Sequence, residues 1–449
     1  MRIQEENNVC WSRLALPVAC VGIASLLLVR DGLLISIGRL PFLFIACAAL
    51  LFLNAEDTRL FLIFLLPLYP GLPGNYLTLL FAVKWIFLAF YEKERFRLSV
   101  WTAVFSFLFT AYLWMQNLIL GDMSVYHFAL GAEILLLVLF ISDKTSVSLR
   151  RAVPVYSASV LISGTAALLV FAGEHSLGDI FSGAVRFGDV YGADGMHMTL
   201  DPNFLGFSCL AGIAAHAELL RCAAQVRMSF RKEMAASLIW MLTLLFFGTI
   251  GLSRSFLLCI AGLAVLELLA LVKAPHLFGK AVLFLSLLCA ALLGLSAWLV
   301  PELLLSLGAR FDPDELVGAN GRVMLIRRWY TAFTESIWSL LFGTGLFRTN
   351  VHVTALQYLF GLGIVGMLFL FPAFIGIARG LGFRFCRRGC IPAVVTAVMS
   401  CSVPAACSLS ALFPFLFALM VSGCLSGEKP FSAGATVKRN SDGFALLSS

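Results

Sequence analysis

Arginines in one polar segment are the first residues in this chain that could do chemistry. Between Pro301 and His352 the chain carries Arg310, Arg322, Arg327, Arg328 and Arg348 and no lysine, and this segment separates two long apolar runs. A guanidinium is a rigid, permanently charged fork that suits bidentate capture of phosphate. The pattern points to an anionic ligand at a membrane surface, and to an enzyme more than a channel. His352 ends the segment. Its imidazole can serve as a general base near neutral pH, or sit as a neutral hydrogen-bonded group at a helix entrance.

Three further places carry polar groups where apolar ones are expected. Arg186 precedes Asp201-Pro202-Asn203, which opens an apolar run. Asp201 suits an N-cap and Pro202 a first helical turn, whereas Asn203 needs an internal partner. Ser253-Arg254-Ser255 is almost the whole connection between two apolar runs. Arg254 therefore either snorkels to lipid headgroups or points into the bundle, where ionisable groups are usually functional. From Gly321 to Leu341 the residues Arg322, Leu325, Ile326, Trp329, Phe333, Ile337 and Leu340 recur at helical spacing, and Asn320-Gly321 is a helix start. This predicts an amphipathic helix on the membrane surface or over the bundle. Arg322 falls on its apolar stripe and needs a partner there, either Asp312, Asp314 or Glu315 upstream, or a ligand phosphate. Arg327 and Arg328 fall off the stripe, where water, lipid headgroups or, together with Trp329, the substrate would meet them.

The elements that must position these groups are helices. Of 449 residues 60% are hydrophobic and only 13% charged, far from a soluble composition. Runs long enough to cross ~30 Å of hydrocarbon recur throughout. They predict helices near 14–29, 33–53, 59–70, 74–91, 98–120, 124–142, 152–173, 201–220, 235–252, 255–272, 281–300, 353–378, 391–406 and 408–424. The expected fold class is all-α: a polytopic membrane helical bundle of 12–14 spans, one domain over 1–425. Extracytoplasmic loops are expected at 173–200 and 301–352, the second carrying amphipathic helices, and a disordered cytoplasmic tail at 426–449.

Lysine and arginine in the short loops set the orientation. Lys93/Arg95/Arg97, Lys144/Arg150/Arg151, Arg221/Arg227/Arg231/Lys232, Lys273/Lys280 and Arg379/Arg384/Arg387/Arg388 all fall on one side, expected to be cytoplasmic together with both termini. The net charge of +7 is then a topology signal and implies no nucleic acid. The twelve cysteines avoid both long outer loops and read as small packing residues. No nucleotide-binding glycine loop and no Ser/His/Asp arrangement is present, and neither long outer loop holds a tight Asp/Glu/His cluster. No metal or cofactor is expected.

Taken in order, an arginine in one outer loop, Asp201-Pro202-Asn203, Arg254 in a turn, Gly321-Arg322 with Trp329 and Gly343/Gly345, and His352 ahead of Leu356-Gln357 and Gly363-Ile364-Val365-Gly366 resemble the O-antigen polymerase and O-antigen ligase superfamily of bacterial envelope enzymes. The resemblance covers roughly 186–370. Two positions depart from the family pattern: Val353 follows the histidine where asparagine is usual, and Phe360-Gly361-Leu362 stands where an acidic residue often precedes the glycine turn. The resemblance implies a metal-independent glycosyltransferase of the bacterial cytoplasmic membrane, acting on undecaprenyl-diphosphate-linked oligosaccharide, with a chain-length regulator as candidate partner. Arg186, Arg254 and Arg322 would hold the diphosphate while His352 accepts a proton or orients the acceptor. Polymerisation of repeat units is the preferred activity. A ligase differs only in its acceptor. A transporter of the same lipid-linked unit is the competing class. It is disfavoured by the lack of an internal repeat and by charges that gather at the outer boundary.

Overall fold

Apolar runs form helices here because only a helix satisfies every backbone N–H and C=O within its own segment. The computed structural model describes residues 2–120, 125–176, 178–179, 191–192, 195–196, 201–225, 230–251, 253–272, 320–346, 348–349, 351, 353–383, 390–401, 412–422 and 431–432. The helices are α1 Arg2–Leu27, α2 Arg39–Phe52, α3 Ala55–Leu65, α4 Gly74–Tyr91, α5 Val100–Leu120, α6 Val125–Ser142, α7 Leu149–Glu174 and α8 Pro202–Gln225. They continue as α9 Phe230–Ile250, α10 Arg254–Val272, α11 Asn320–Thr334, α12 Ile337–Phe342, α13 Thr354–Gly380, α14 Ile391–Ser400 and α15 Phe413–Ser422. The run predicted at 281–300 lies outside the described residues. Among those described, six helices are long and apolar enough to cross a membrane: Leu14–Gly32, Gly74–Tyr91, Val100–Leu120, Leu149–Glu174, Pro202–Cys222 and Thr354–Gly380. Five shorter apolar helices pack among them.

Burial sorts the helices into layers. In α3 every residue except Glu56 is buried, so this 11-residue helix runs through the interior. At ~1.5 Å per residue it is too short to span. Asn54 starts it, accepting from Asp57 N at 2.8 Å. Helices α4 and α5 instead keep broad exposed apolar faces, with Phe90, Val100, Phe107 and Ile119 each at least 70% exposed. A large exposed apolar surface of this kind fits a lipid environment.

The basic loops gather at one end. Arg97 N donates to Ser142 O at 2.8 Å and Lys144 N to Arg95 O at 2.9 Å, joining the α4–α5 and α6–α7 connections. Arg151 pairs with Glu56 at 2.7 Å and with Asp57 at 2.8 Å. Of the tail beyond 425, Phe431–Ser432 pairs in parallel with Val147–Ser148 at this same end.

A buried ion pair fastens α3 to α6. Arg59, 1% exposed, donates from Nε to Asp143 Oδ2 at 3.1 Å and from Nη2 to the carbonyls of Phe140 and Asp143. Asp143 also accepts from Trp85 Nε1 at 3.1 Å and from Thr145 N and Oγ1 at 2.9 and 2.7 Å. Burial pushes this carboxyl's pKa up, but the Arg59 charge and the donors from Thr145 and Trp85 outweigh it and hold the group below its ordinary 3.8. A carboxyl depressed on folding stabilises fully above its ordinary value and ceases to do so as pH falls through the lower one. Removing one partner of a buried pair costs about 3–5 kcal/mol, whereas replacing both by apolar groups is often neutral. Arg59→Met should therefore lower the melting temperature in detergent sharply. Arg59→Met/Asp143→Leu should regain more than half of the loss and flatten the decline in stability below about pH 3.8. Equal losses in the single and double variants would mean that the pair's charge is not what matters.

Candidate functional site

At the opposite end, three helix starts surround the end of α14. Asp201 caps α8, its Oδ1 accepting from Asn203 N at 2.9 Å and Phe204 N at 3.0 Å. Asn203 has the internal partner it needed: Ser253 Oγ donates to its Oδ1 at 3.1 Å. Ser253 is fully buried and precedes α10, with Phe256 N 3.5 Å from its Oγ. The two helix starts are thus tied together, and Arg254, half-buried, is the first residue of α10. Helix α14 packs against both: a methyl at Gly206 of α8 would lie 3.2 Å from Phe256 Cβ and 3.4 Å from Met399 Cε. Thr354, the first residue of α13, donates its hydroxyl to Ser400 O at 2.8 Å, bringing the third helix start to the same place. Aligned peptide dipoles make helix starts favourable for anions, and at α8 the Asp201 carboxylate already takes up two of the first N–H groups.

The segment before α13 is built on a break. Sequence spacing predicted one helix over 321–341. The structure divides it after Thr334, because Ser336 leaves the helix and caps α12 by accepting from Ser339 N at 3.0 Å. The predicted apolar stripe holds in α11. Phe333 is buried with Val351 and Phe360, and Ile326, Trp329 and Leu340 pack around them. Ile337, expected on the stripe, is 61% exposed. Arg327 and Arg328 are exposed.

Helix α13 is itself discontinuous at Gly363, where φ is 69° and ψ −178°, a region essentially restricted to glycine. The chain after α12 fills the gap. Thr344 N donates to Phe360 O at 2.9 Å and Gly345 N to Gly361 O at 3.0 Å. Gln116 of α5 donates from Nε2 to Phe342 O and, at 2.8 Å, to Gly361 O. The Tyr112 hydroxyl reaches Leu362 O and, at 2.8 Å, Phe342 O. The two amide protons of Gln116 and the one hydroxyl proton of Tyr112 thus serve two carbonyls released by the break, Gly361 O and Leu362 O, and the last carbonyl of α12, Phe342 O. This is how irregular backbone is tolerated inside an apolar bundle. Arg348 does not remain simply solvated: its Nη2 donates to Leu120 O at 2.7 Å, closing the end of α5. Gln357 is fully buried; its Nε2 donates to Thr349 O at 2.8 Å, while its Oε1 has no hydrogen-bond partner among the described residues.

Gln116→Leu should cost about 1–3 kcal/mol, the penalty of a buried carbonyl left without a donor. Phe342 O and Leu362 O then share the single Tyr112 proton, so one carbonyl stays unserved. Gln116→Leu/Tyr112→Phe leaves both unserved and should lose about the sum of the two single variants. Thermal unfolding in detergent measures this, and a double variant no less stable than Gln116→Leu alone would sink the shared-carbonyl account.

Arg186 and His352 lie outside the described residues. Arg322 lies in the first turn of α11 by its backbone, its side chain again outside what is described. Of the expected cationic clamp, Arg254 is the member whose surroundings can be read. Sequence reasoning passed over Tyr112, Gln116 and Ser253. The signal for the first two was an amide and a phenol at i, i+4 in an otherwise apolar helix.

This architecture defines the class: among the described residues, an almost entirely helical protein with six helices long and apolar enough to cross a membrane. No family model, no curated protein and no solved structure matches the chain.

Proposed function

We propose that the chain is a polytopic enzyme of the bacterial cytoplasmic membrane that polymerises undecaprenyl-diphosphate-linked oligosaccharide repeat units on the outer face. The observation that carries this reading is the meeting of the starts of α8, α10 and α13 around the end of α14, with Arg254 in the first turn of α10. In the proposed reaction an acceptor hydroxyl attacks the anomeric carbon, a new glycosidic C–O bond forms, and the C–O bond to the diphosphate breaks. Charge grows on the departing diphosphate, where helix starts and a guanidinium stabilise it. The hydroxyl proton passes to a base, for which His352 is the candidate. Arg186, Arg322, Arg327 and Arg328 are proposed to extend the anionic binding surface.

A transporter is the second reading, and two observations favour it. Discontinuous helices are a feature of transporters, and α13 is discontinuous. A Glu218–Arg221–Glu267 group at the basic end, with Glu218 buried, its partners half-buried and Arg221 Nη2 2.5 Å and 3.0 Å from the two carboxylates, also resembles a charge relay. Purified protein given a lipid-diphosphate oligosaccharide decides between them. The enzyme lengthens the glycan and releases undecaprenyl diphosphate; a transporter leaves every covalent bond unchanged. In a deletion strain, single repeats indicate a polymerase and long unattached lipid-linked chains a ligase.

A further inference from the structure

A cavity of about 2030 Å³ opens at the basic end, opposite Arg254. Its rim carries Arg95, Arg97, Lys144 and Arg379 against Glu56 and Glu94, four positive charges to two negative, a surplus of two. Glu56 is already engaged by Arg151 at 2.7 Å and Arg95 by Glu92 at 2.5 Å, which offset each other and leave the surplus at two. The backbone pairings Arg97 N to Ser142 O and Lys144 N to Arg95 O hold two of these loops in fixed register, so the cations are presented by a braced edge. Among the described residues, Arg97 and Arg379 have no carboxylate partner.

The cavity's inner wall is apolar. Phe374 and Phe415 stack with centroids 5.9 Å apart, and Ala397, Val398 and Leu419 continue the lining. From Gly380 near the rim to Phe374 the lining follows α13 for six residues, about 9 Å at the helical rise. The wall is open sideways: Ile375, Val394 and Val398 are 45%, 36% and 62% exposed. A water-soluble anion has no use for such a wall. A cationic rim above an apolar slot that opens laterally fits an amphiphile with an anionic head. Basic loops alone would satisfy the positive-inside rule; they need not share one cavity with an apolar gate.

We infer that this cavity binds an anionic glycerophospholipid, its phosphate held by Arg97, Arg379 and Lys144 and its acyl chain laid between α13, α14 and α15. The site relies on the membrane reading but not on the enzymatic one, since a transporter could hold the same lipid.

The test uses the full chain purified in detergent, delipidated, and titrated with phosphatidylglycerol, phosphatidylcholine or inorganic phosphate under native mass spectrometry. Phosphatidylglycerol should bind at least about fivefold more tightly than phosphatidylcholine, as one favourable cation–headgroup contact would give. Inorganic phosphate at millimolar concentration should not displace it. Arg97→Gln/Arg379→Gln alters two exposed side chains and should fold normally; it should weaken phosphatidylglycerol by about 25-fold, fivefold for each cation. Ala397→Trp keeps the charges but fills the slot, and should abolish retention with an unchanged melting temperature. Equal binding of the two lipids, displacement by inorganic phosphate, or unaltered phosphatidylglycerol binding in either folded variant would overturn the assignment.

Discussion

Alanine at Arg254 is expected to reduce glycan transfer by at least about 100-fold, the usual consequence of removing one donor aimed at a developing negative charge, while the chain accumulates normally in the membrane. The cap of α10 and its tie to α8 do not run through the Arg254 side chain. Ser253 caps α10 through its own hydroxyl and backbone, and the tie to Asn203 runs through Ser253 as well. A change at the neighbouring first helical residue leaves both in place. Arg254→Lys should recover only part of the activity, because an ammonium keeps the charge and loses the bidentate fork. Asp201→Ala is the companion measurement: loss of an N-cap costs about 1 kcal/mol of stability, so that variant should melt earlier. Polysaccharide of normal length and amount from Arg254→Ala would remove the diphosphate reading of this end of the bundle.

The second large effect is structural. Gly363→Ala should largely prevent folding, with about 1–3 kcal/mol from backbone strain before any clash is counted. The new methyl would also overlap the Gly343 nitrogen and meet Leu341 O at 2.5 Å. Gly343 mirrors it: φ there is 76°, and a methyl would overlap the Gly361 carbonyl. Gly262, inside α10, is the control, because a methyl added there would meet nothing within 4 Å. Gly262→Ala should be neutral or stabilise by roughly 0.5–1 kcal/mol. Size-exclusion profiles of the fluorescently tagged chains separate the cases, and a Gly363→Ala variant that elutes and melts like wild type would contradict the backbone geometry described.

The helices were legible because hydrophobic runs report span placement directly. The run read at 74–91 coincides with α4, that at 152–173 falls within α7, and Asp201 and Asn320 marked the starts of α8 and α11 in advance. The break at Gly363 was not legible. Gly361, Gly363 and Gly366 read equally well as small residues for close packing in lipid, and the sign of φ leaves no trace in composition. The division at Ser336 was missed for a related reason: periodicity over 321–341 continues across a cap that only local hydrogen bonding reveals. Tyr112 and Gln116 escaped because their partners lie more than 200 positions away in the chain. Polar residues in an apolar run look alike whether they serve a ligand or a carbonyl. At the candidate site, Asp201, Asn203 and Arg254 were singled out from residue type and position alone, but the role of Asn203 as the acceptor that joins two helix starts required the fold.

The interruption in α13 has a mechanical consequence. A continuous helix would act as a stiff strut and carry any tilt of Thr354 straight through to Arg379. With the strut cut at Gly363 and the piece that begins at Thr354 stitched to α5 and α12, the two ends of the bundle can be loaded separately, and events at one end need not be felt at the other.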